Sequence, residues 1–158
     1  MGIVLARVDD RLVHGQVVIG WGRPLQLERI ILVDAGVRES LWEQELYRMA
    51  APTEIALEFL SPAEAAPRLV HWAESRERVM VLVGSVATAA ELWRLAPGGL
   101  HTLNLGAIHA GPGRTERLRY LHLSEEEADT LQELARAGLE VTAQDVPGSR
   151  PVPLTELV

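Results

Sequence analysis

The sequence predicts an α/β fold: a single domain with a mostly parallel central sheet and helices on both faces. Three observations predict it. Six short β-rich runs, residues 3–8, 29–33, 54–60, 78–83, 100–105 and 139–143, are apolar nearly throughout rather than alternating, as strands buried on both faces are. Segments of helical period separate them, and strand–helix alternation implies a parallel sheet. The chain has 158 residues, 47% of them hydrophobic, which suits one domain with a real core.

The elements follow in order. The run 3–8 leads through a polar loop into a helix. The run 29–33 ends at Asp34, and residues 39–51 read as a helix with apolar positions at 41, 42, 46, 49 and 50. After the run 54–60, Ser61-Pro62-Ala63-Glu64 fits a capping box, in which Ser and Glu satisfy each other's orphan amides. Pro67 falls inside that helical segment and predicts a short or broken helix. Residues 86–95 form the next helix. Residues 110–114 form a loop rich in Gly and Pro. The stretch 118–123 reads as a further, edge-like strand. Ser124 opens a second capping box for a helix over 125–137, with Gly138 as its C-cap. From about residue 146 the tail is proline-rich, with Pro147, Pro151 and Pro153. No repeat or interdomain linker stands out across 1–158.

Composition removes several function classes. A net charge of −7 argues against nucleic acid as a main partner. The chain holds no cysteine, which excludes disulfides, thiolate nucleophiles and Cys-based zinc sites. All fifteen basic residues are Arg, so Schiff-base chemistry and a Walker lysine are excluded too. No run approaches the roughly 20 apolar residues of a membrane helix, and the first residues are charged too early for a signal peptide. A cytoplasmic protein is the expectation.

The chemistry concentrates after the first strand, in Arg7-Val8-Asp9-Asp10-Arg11-Leu12-Val13-His14-Gly15-Gln16-Val17-Val18. Ligands of open α/β sheets gather beyond the carboxyl ends of the strands, and a loop entering a helix there gains free amides that favour an anion. Each residue also has a plain structural reading: a surface Arg11, turn-forming Asp9 and Asp10, an exposed His14. Together they point to a site, and residue chemistry alone names no reaction.

The segment from Val8 to Val17 resembles the phosphorylation loop of the mannose/fructose/sorbose-type IIB subunits of the sugar phosphotransferase system, which reads as a hydrophobic residue, Asp-Asp/Glu-Arg, two hydrophobics, then His-Gly-Gln. Arg29 to Asp34 resembles that family's second strand with its terminal Asp. Asn104-Leu105-Gly106 is similar to its Asn-hydrophobic-Gly, and Gly113 and Ser124-Glu125-Glu126 fall in family order, so the likeness runs from about residue 3 to 145. Gly84-Ser85-Val86-Ala87-Thr88, Ala107-Ile108-His109-Ala110 and the proline-rich tail depart from the pattern.

The resemblance implies that a phosphorylated IIA subunit donates to His14, and that the phosphohistidine serves a sugar entering through membrane IIC and IID subunits, with the chain peripheral to that transporter. It also suggests a homodimer. On this reading neutral His14 is the nucleophile, held in one tautomer by Asp9, Asp10 or a backbone carbonyl. Arg11 presents a planar fork to the phosphoryl oxygens and lowers the His14 pKa. Gly15, Gln16, Gly84 and Ser85 are weaker phosphate-binding candidates, and Ser85 reads rather better as a plain N-cap. No metal and no cofactor are expected. His71 and His122 read as structural, and His109, in the loop after the fifth strand, is a minor candidate for the site. The nearest alternative is a regulatory histidine phosphocarrier without transport. A Rossmann-like binding module is disfavoured by the missing Gly-x-Gly-x-x-Gly, and a metal-dependent hydrolase by the lack of a paired His/Asp motif.

Overall fold

A computed structural model describes residues 2–158. Seven strands form one sheet in the order β3-β2-β4-β1-β5-β8-β9. They are β1 (Gly2–Val8), β2 (Arg29–Val33), β3 (Ala56–Leu60), β4 (Arg78–Val83), β5 (Thr102–Leu105), β8 (Glu140–Ala143) and β9 (Val152–Pro153). Every pairing is parallel except β8 with β9, which is antiparallel. The alternation of side chains explains the continuous apolar runs. Ile30, Leu32, Met80 and Leu82 enter one buried cluster, while Ile31, Val33, Val79, Val81 and Val83 enter another on the opposite face.

Helices α1 (Gly15–Gly20), α2 (Gly22–Leu25), α3 (Ala35–Arg38) and α4 (Leu41–Ala50) cover the first face. Helices α5 (Pro62–Ala65), α6 (Leu69–Glu74), α7 (Val86–Leu95) and α8 (Glu125–Arg136) cover the second. Both capping boxes form, at Ser61/Glu64 and Ser124/Glu127. Gly138 ends α8 at φ +114°, a backbone conformation that suits glycine and strains other residues. The broken helix expected around Pro67 is present: a 3₁₀ turn over Ala66–Arg68 separates α5 from α6.

Two expectations need correction. The stretch 118–123 is not one strand. It is the turn of a separate antiparallel hairpin, β6 (Arg114–Leu118) with β7 (Leu121–Ser124), because the chain reverses at Arg119 and Tyr120. The helix read over 39–51 begins only at Leu41, where Ser40 accepts the Glu43 amide, and a separate turn, α3, precedes it. The proline-rich tail carries structure of its own. Its Val152–Pro153 strand pairs with β8, and Leu154 and Leu157 are buried in the second core.

Candidate active site

The site is built on the central strand. Val8, the last residue of β1, is flanked by Val83 of β4 and Leu105 of β5. The chain leaves the sheet still anchored on both sides. The Asp9 amide donates to the Val83 carbonyl at 2.9 Å, and the Asp10 amide donates to Ala107 at 2.9 Å. The loop then turns back, with the Leu12 amide on the Asp9 carbonyl at 3.0 Å. Leu12 takes φ +59°, a left-handed conformation that costs a non-glycine residue roughly 1–2 kcal/mol. Its side chain lies over Gly84, where a Cβ would come within 3.0 Å of it.

Two guanidiniums converge on one buried carboxylate. Arg7 and Asp9 are both fully buried. The Arg7 Nη2 donates to Asp9 Oδ2 at 3.3 Å, and its Nη1 reaches Asn104 Oδ1 and the Gln144 carbonyl, the latter at 2.8 Å. The guanidinium also stacks on Trp21, 4.7 Å from the ring centre. From the solvent side, Arg11 grips the same carboxylate with Nε and Nη2, both at 2.9 Å, and its amide adds a third bond at 3.1 Å. The remaining amino group of Arg11 holds Gln16 Oε1. Burial pushes the Asp9 carboxyl up, but the Arg11 hydrogen bonds and the charges of Arg7 and Arg11 outweigh it and hold Asp9 below its ordinary value. Gly106 makes this packing possible. A Cβ there would run into the Arg7 guanidinium and the Asp9 carboxylate.

His14 is the N-cap of α1, in extended backbone, and its Nδ1 accepts the Gln16 amide at 3.2 Å. A nitrogen that accepts carries the lone pair, so the neutral ring bears its proton on Nε2. That Nε2 is buried, 3.8 Å from Asp9 Oδ1, and has no hydrogen-bond partner among the described residues. Burial and then the Arg11 charge hold the His14 pKa below that of an ordinary histidine, against the opposing pull of Asp9. Neutral imidazole is therefore the dominant form at neutral pH. The basic nitrogen is Nδ1, and a Cβ placed on the neighbouring Gly15 would meet nothing within 4 Å.

Of the residues expected at the site, the structure brings Asp9, Arg11, His14, Gly15 and Gln16 together. Asp10 is not placed to orient His14. Consecutive residues leaving a strand project to opposite sides, and both Asp10 oxygens serve His109, one from its amide at 2.8 Å and one from its ring Nδ1 at 2.7 Å. The Arg11 fork is also spent differently from expectation: its Nε/Nη2 edge holds Asp9 and its Nη1 holds Gln16 Oε1, so only what these bonds leave of its outer edge is open to an anion. Ser85 turns to its own helix and accepts the Thr88 amide at 3.1 Å. Gly84 touches the loop through Leu12.

Sequence reasoning gave no role to Arg7, Asn104, Gln144 or Trp21. The available signal was a charge at position 7 inside an apolar strand, since a buried Arg requires a carboxylate and carbonyls around it.

Comparison with known proteins bears on the family and the fold. The family model for the sorbose subfamily IIB component of the phosphotransferase system matches residues 3–158. The sorbose-specific EIIB component of Lacticaseibacillus casei is 29% identical over 143 residues, covering 89% of this chain and 85% of that one. The mannose-specific EIIAB component of Escherichia coli K12 is 26% identical over the whole of this chain, which spans 49% of it. The crystal structure of manxB from Thermoanaerobacter tengcongensis superimposes with a TM-score of 0.86 at 30% identity, covering 99% of this chain and 94% of that one.

Proposed function

This chain belongs to the sorbose subfamily of IIB components, phosphotransferases of the sugar phosphotransferase system, and on that premise we propose that it accepts a phosphoryl group on Nδ1 of His14 from a phosphorylated IIA subunit and passes it to a sugar entering through membrane IIC and IID subunits. The observation that carries the proposal is the polarity of the His14 ring. Nδ1 has the lone pair, while Nε2 is buried against Asp9.

In the transfer, the Nδ1 lone pair leaves the Gln16 amide and attacks phosphorus as the donor's P–N bond breaks. The donor ring leaves with the electron pair of that bond. No proton need cross, because His14 keeps its Nε2–H and the positive charge that grows on its ring faces the Asp9 carboxylate. Phosphoryl transfer asks chiefly for positioning and charge neutralisation. The outer edge of Arg11 supplies the second, and Asp9 anchors both Arg11 and the ring. A carrier must also release its cargo. A single guanidinium already shared with Asp9 and Gln16 holds phosphate less tightly than a free fork does.

A donor of IIA type is supported by the EIIAB designation of a relative of which this chain spans about half. A peripheral place beside a membrane transporter fits a chain in which no helix among the described residues is long and apolar enough to cross a membrane.

The test is phosphorylation by a phospho-IIA subunit followed by mapping of the modified residue. One acid-labile, alkali-stable phosphate on His14 is expected, and none on His14→Ala. Phosphate retained by His14→Ala would falsify the proposal.

A further inference from the structure

The departures from the family pattern include His109, which the mechanism above leaves unused. Its backbone and its ring are held by the same side chain. The two oxygens of one carboxylate, Asp10, take its backbone amide at 2.8 Å and its ring Nδ1 at 2.7 Å. The imidazole itself is 69% exposed, while the Asp10 side chain is only 24% exposed. An exposed ring gains little from being held, so the ordered partner is Asp10 and the loop that carries it.

The other side of the contact is anchored in turn. Arg114 donates from Nη1 to the His109 carbonyl at 3.1 Å, and its Nε and Nη2 donate to the two carboxylate oxygens of Glu127 at 2.9 and 3.1 Å. Glu127 is the capping-box residue of α8 and also accepts the Ser124 amide at 2.9 Å. A continuous chain of hydrogen bonds thus runs from the start of α8 through Arg114 and His109 to Asp10, which directly follows the Asp9 that holds Arg11 and faces His14.

We propose that His109 is a positioning residue: with Asp10 it forms a latch that fixes the outer corner of the 9–14 loop to the 106–114 segment, and so sets the geometry of Arg11 and His14. The inference rests on the reading of His14 as phosphoryl acceptor, and it concerns the loop rather than the donor or the sugar. The latch needs an N–H donor where His109 Nδ1 stands. It needs neither a second ring nitrogen nor a titrating group. Asparagine places its amide nitrogen in nearly the same position, so His109→Asn keeps the latch and His109→Ala removes it.

Two measurements test the proposal on the intact chain. The first is single-turnover phosphorylation of His14, with phosphoramidate as a small-molecule donor so that protein docking plays no part. Because small misplacements around a reacting group cost rate steeply, His109→Ala should be about 10-fold slower and Asp10→Ala similarly slow. The double variant should be no slower than either single one, since they break one unit. His109→Asn should stay within about 2-fold of the unaltered protein.

The second measurement is an NMR titration of the His14 ring, which needs no phosphorylation. A loosened loop moves Arg11 away and admits water, so in His109→Ala the His14 pKa should rise toward the ordinary value of about 6.5, and in His109→Asn it should not. A general loss of stability would lower the melting temperature without moving that titration. The latch is overturned if the His109→Ala protein titrates His14 unchanged, or if His109→Asn behaves like His109→Ala, which would assign the imidazole an acid–base role instead. If the unaltered protein takes up no phosphate on His14, the functional reading fails while the titration still decides the latch.

Discussion

Two clusters of arginines and carboxylates sit at opposite ends of the same sheet, and they are built differently. At the carboxyl end, Arg7 and Arg11 share Asp9. Arg7 and Asp9 are fully buried, Arg11 is a quarter exposed, and the bonded trio carries one positive charge more than it cancels. At the other end, Arg29, where β2 begins, bridges Glu58 at 3.2 Å and Glu77 at 2.6 Å, and Arg68 bonds Glu58 at 2.9 Å. Two cations there meet two anions, and all four side chains are between 25% and 41% exposed. The contrast teaches what distinguishes a site from a surface network. Charges are costly to bury, and the trio's extra cation, on which the charges of Asp10 and Asp145 also act, lies beside a neutral histidine and suits the phosphoryl acceptor proposed above. The balanced, solvated quartet has nothing left to offer an anion.

The sharpest way to break the comparison is to remove one carboxylate from each cluster. Asp9→Asn leaves the buried Arg7 guanidinium without its counter-charge, so unfolding in denaturant should show a loss of about 3–5 kcal/mol. The pH dependence should follow. Asp9 is held below its unfolded value, so its contribution is complete above about pH 4 and is lost as pH falls through the lower folded value. In the Asn variant that acid-side slope should shrink.

Arg11→Gln tests the surplus charge itself. By analogy with deleting one preorganised donor, phosphoryl uptake should fall on the order of 10²-fold. Arg11 is the second-largest cause, after burial, of the low His14 pKa. Losing it should move the acid limb of the rate profile to higher pH. Arg11→Lys keeps the charge but not the fork and should fall between the two. Normal rates and an unshifted profile in a folded Arg11→Gln protein would confine Arg11 to bracing Asp9.

Gly106→Ala perturbs the buried cluster without touching a charge. The added methyl meets the Arg7 guanidinium and Asp9, and overpacking of this kind costs about 1–3 kcal/mol. The same change at Gly148, where nothing lies within 4 Å of the added carbon, should leave the melting temperature nearly unmoved.

Much of this was legible before the structure. The central strands, the capping boxes and the break at Pro67 follow from local rules: apolar runs, Ser-x-x-Glu spacing, and a ring that cannot continue a helix. Asp9, Arg11 and His14 stand within six residues, so their proximity is close to guaranteed. What escaped depends on contacts distant in sequence. Arg7 finds Asn104 and Gln144 about a hundred and more residues away, and Asp10 pairs with His109 at a separation of 99. No local pattern announces that two adjacent aspartates serve different histidines, because that is decided by which strand end lies beside β1. The stretch 118–123 reads as one strand for a related reason: the apolar residues on either side of the hairpin's turn merge into one run when only hydropathy is read.

The smallest expected effect belongs to the balanced cluster. Glu77→Gln removes one arm of the Arg29 bridge, but Arg29 keeps Glu58, and all the groups involved have access to water. An exposed pair of this kind is worth about 0–1 kcal/mol. Arg29 holds the Glu77 carboxyl below its usual range. Whatever Glu77 contributes is therefore complete above the unfolded carboxylate value and fades as pH falls through the folded one. It should also fade with salt, since the Debye length drops to about 3 Å at 1 M ionic strength. The deficit of Glu77→Gln measured at low salt should therefore largely vanish at 1 M, whereas that of Asp9→Asn should persist, because solvent ions do not reach a fully buried pair. Denaturant melts of both variants at the two ionic strengths decide the matter. A salt-insensitive loss of several kcal/mol at Glu77 would mean that the two clusters are energetically alike, and that burial does not separate them.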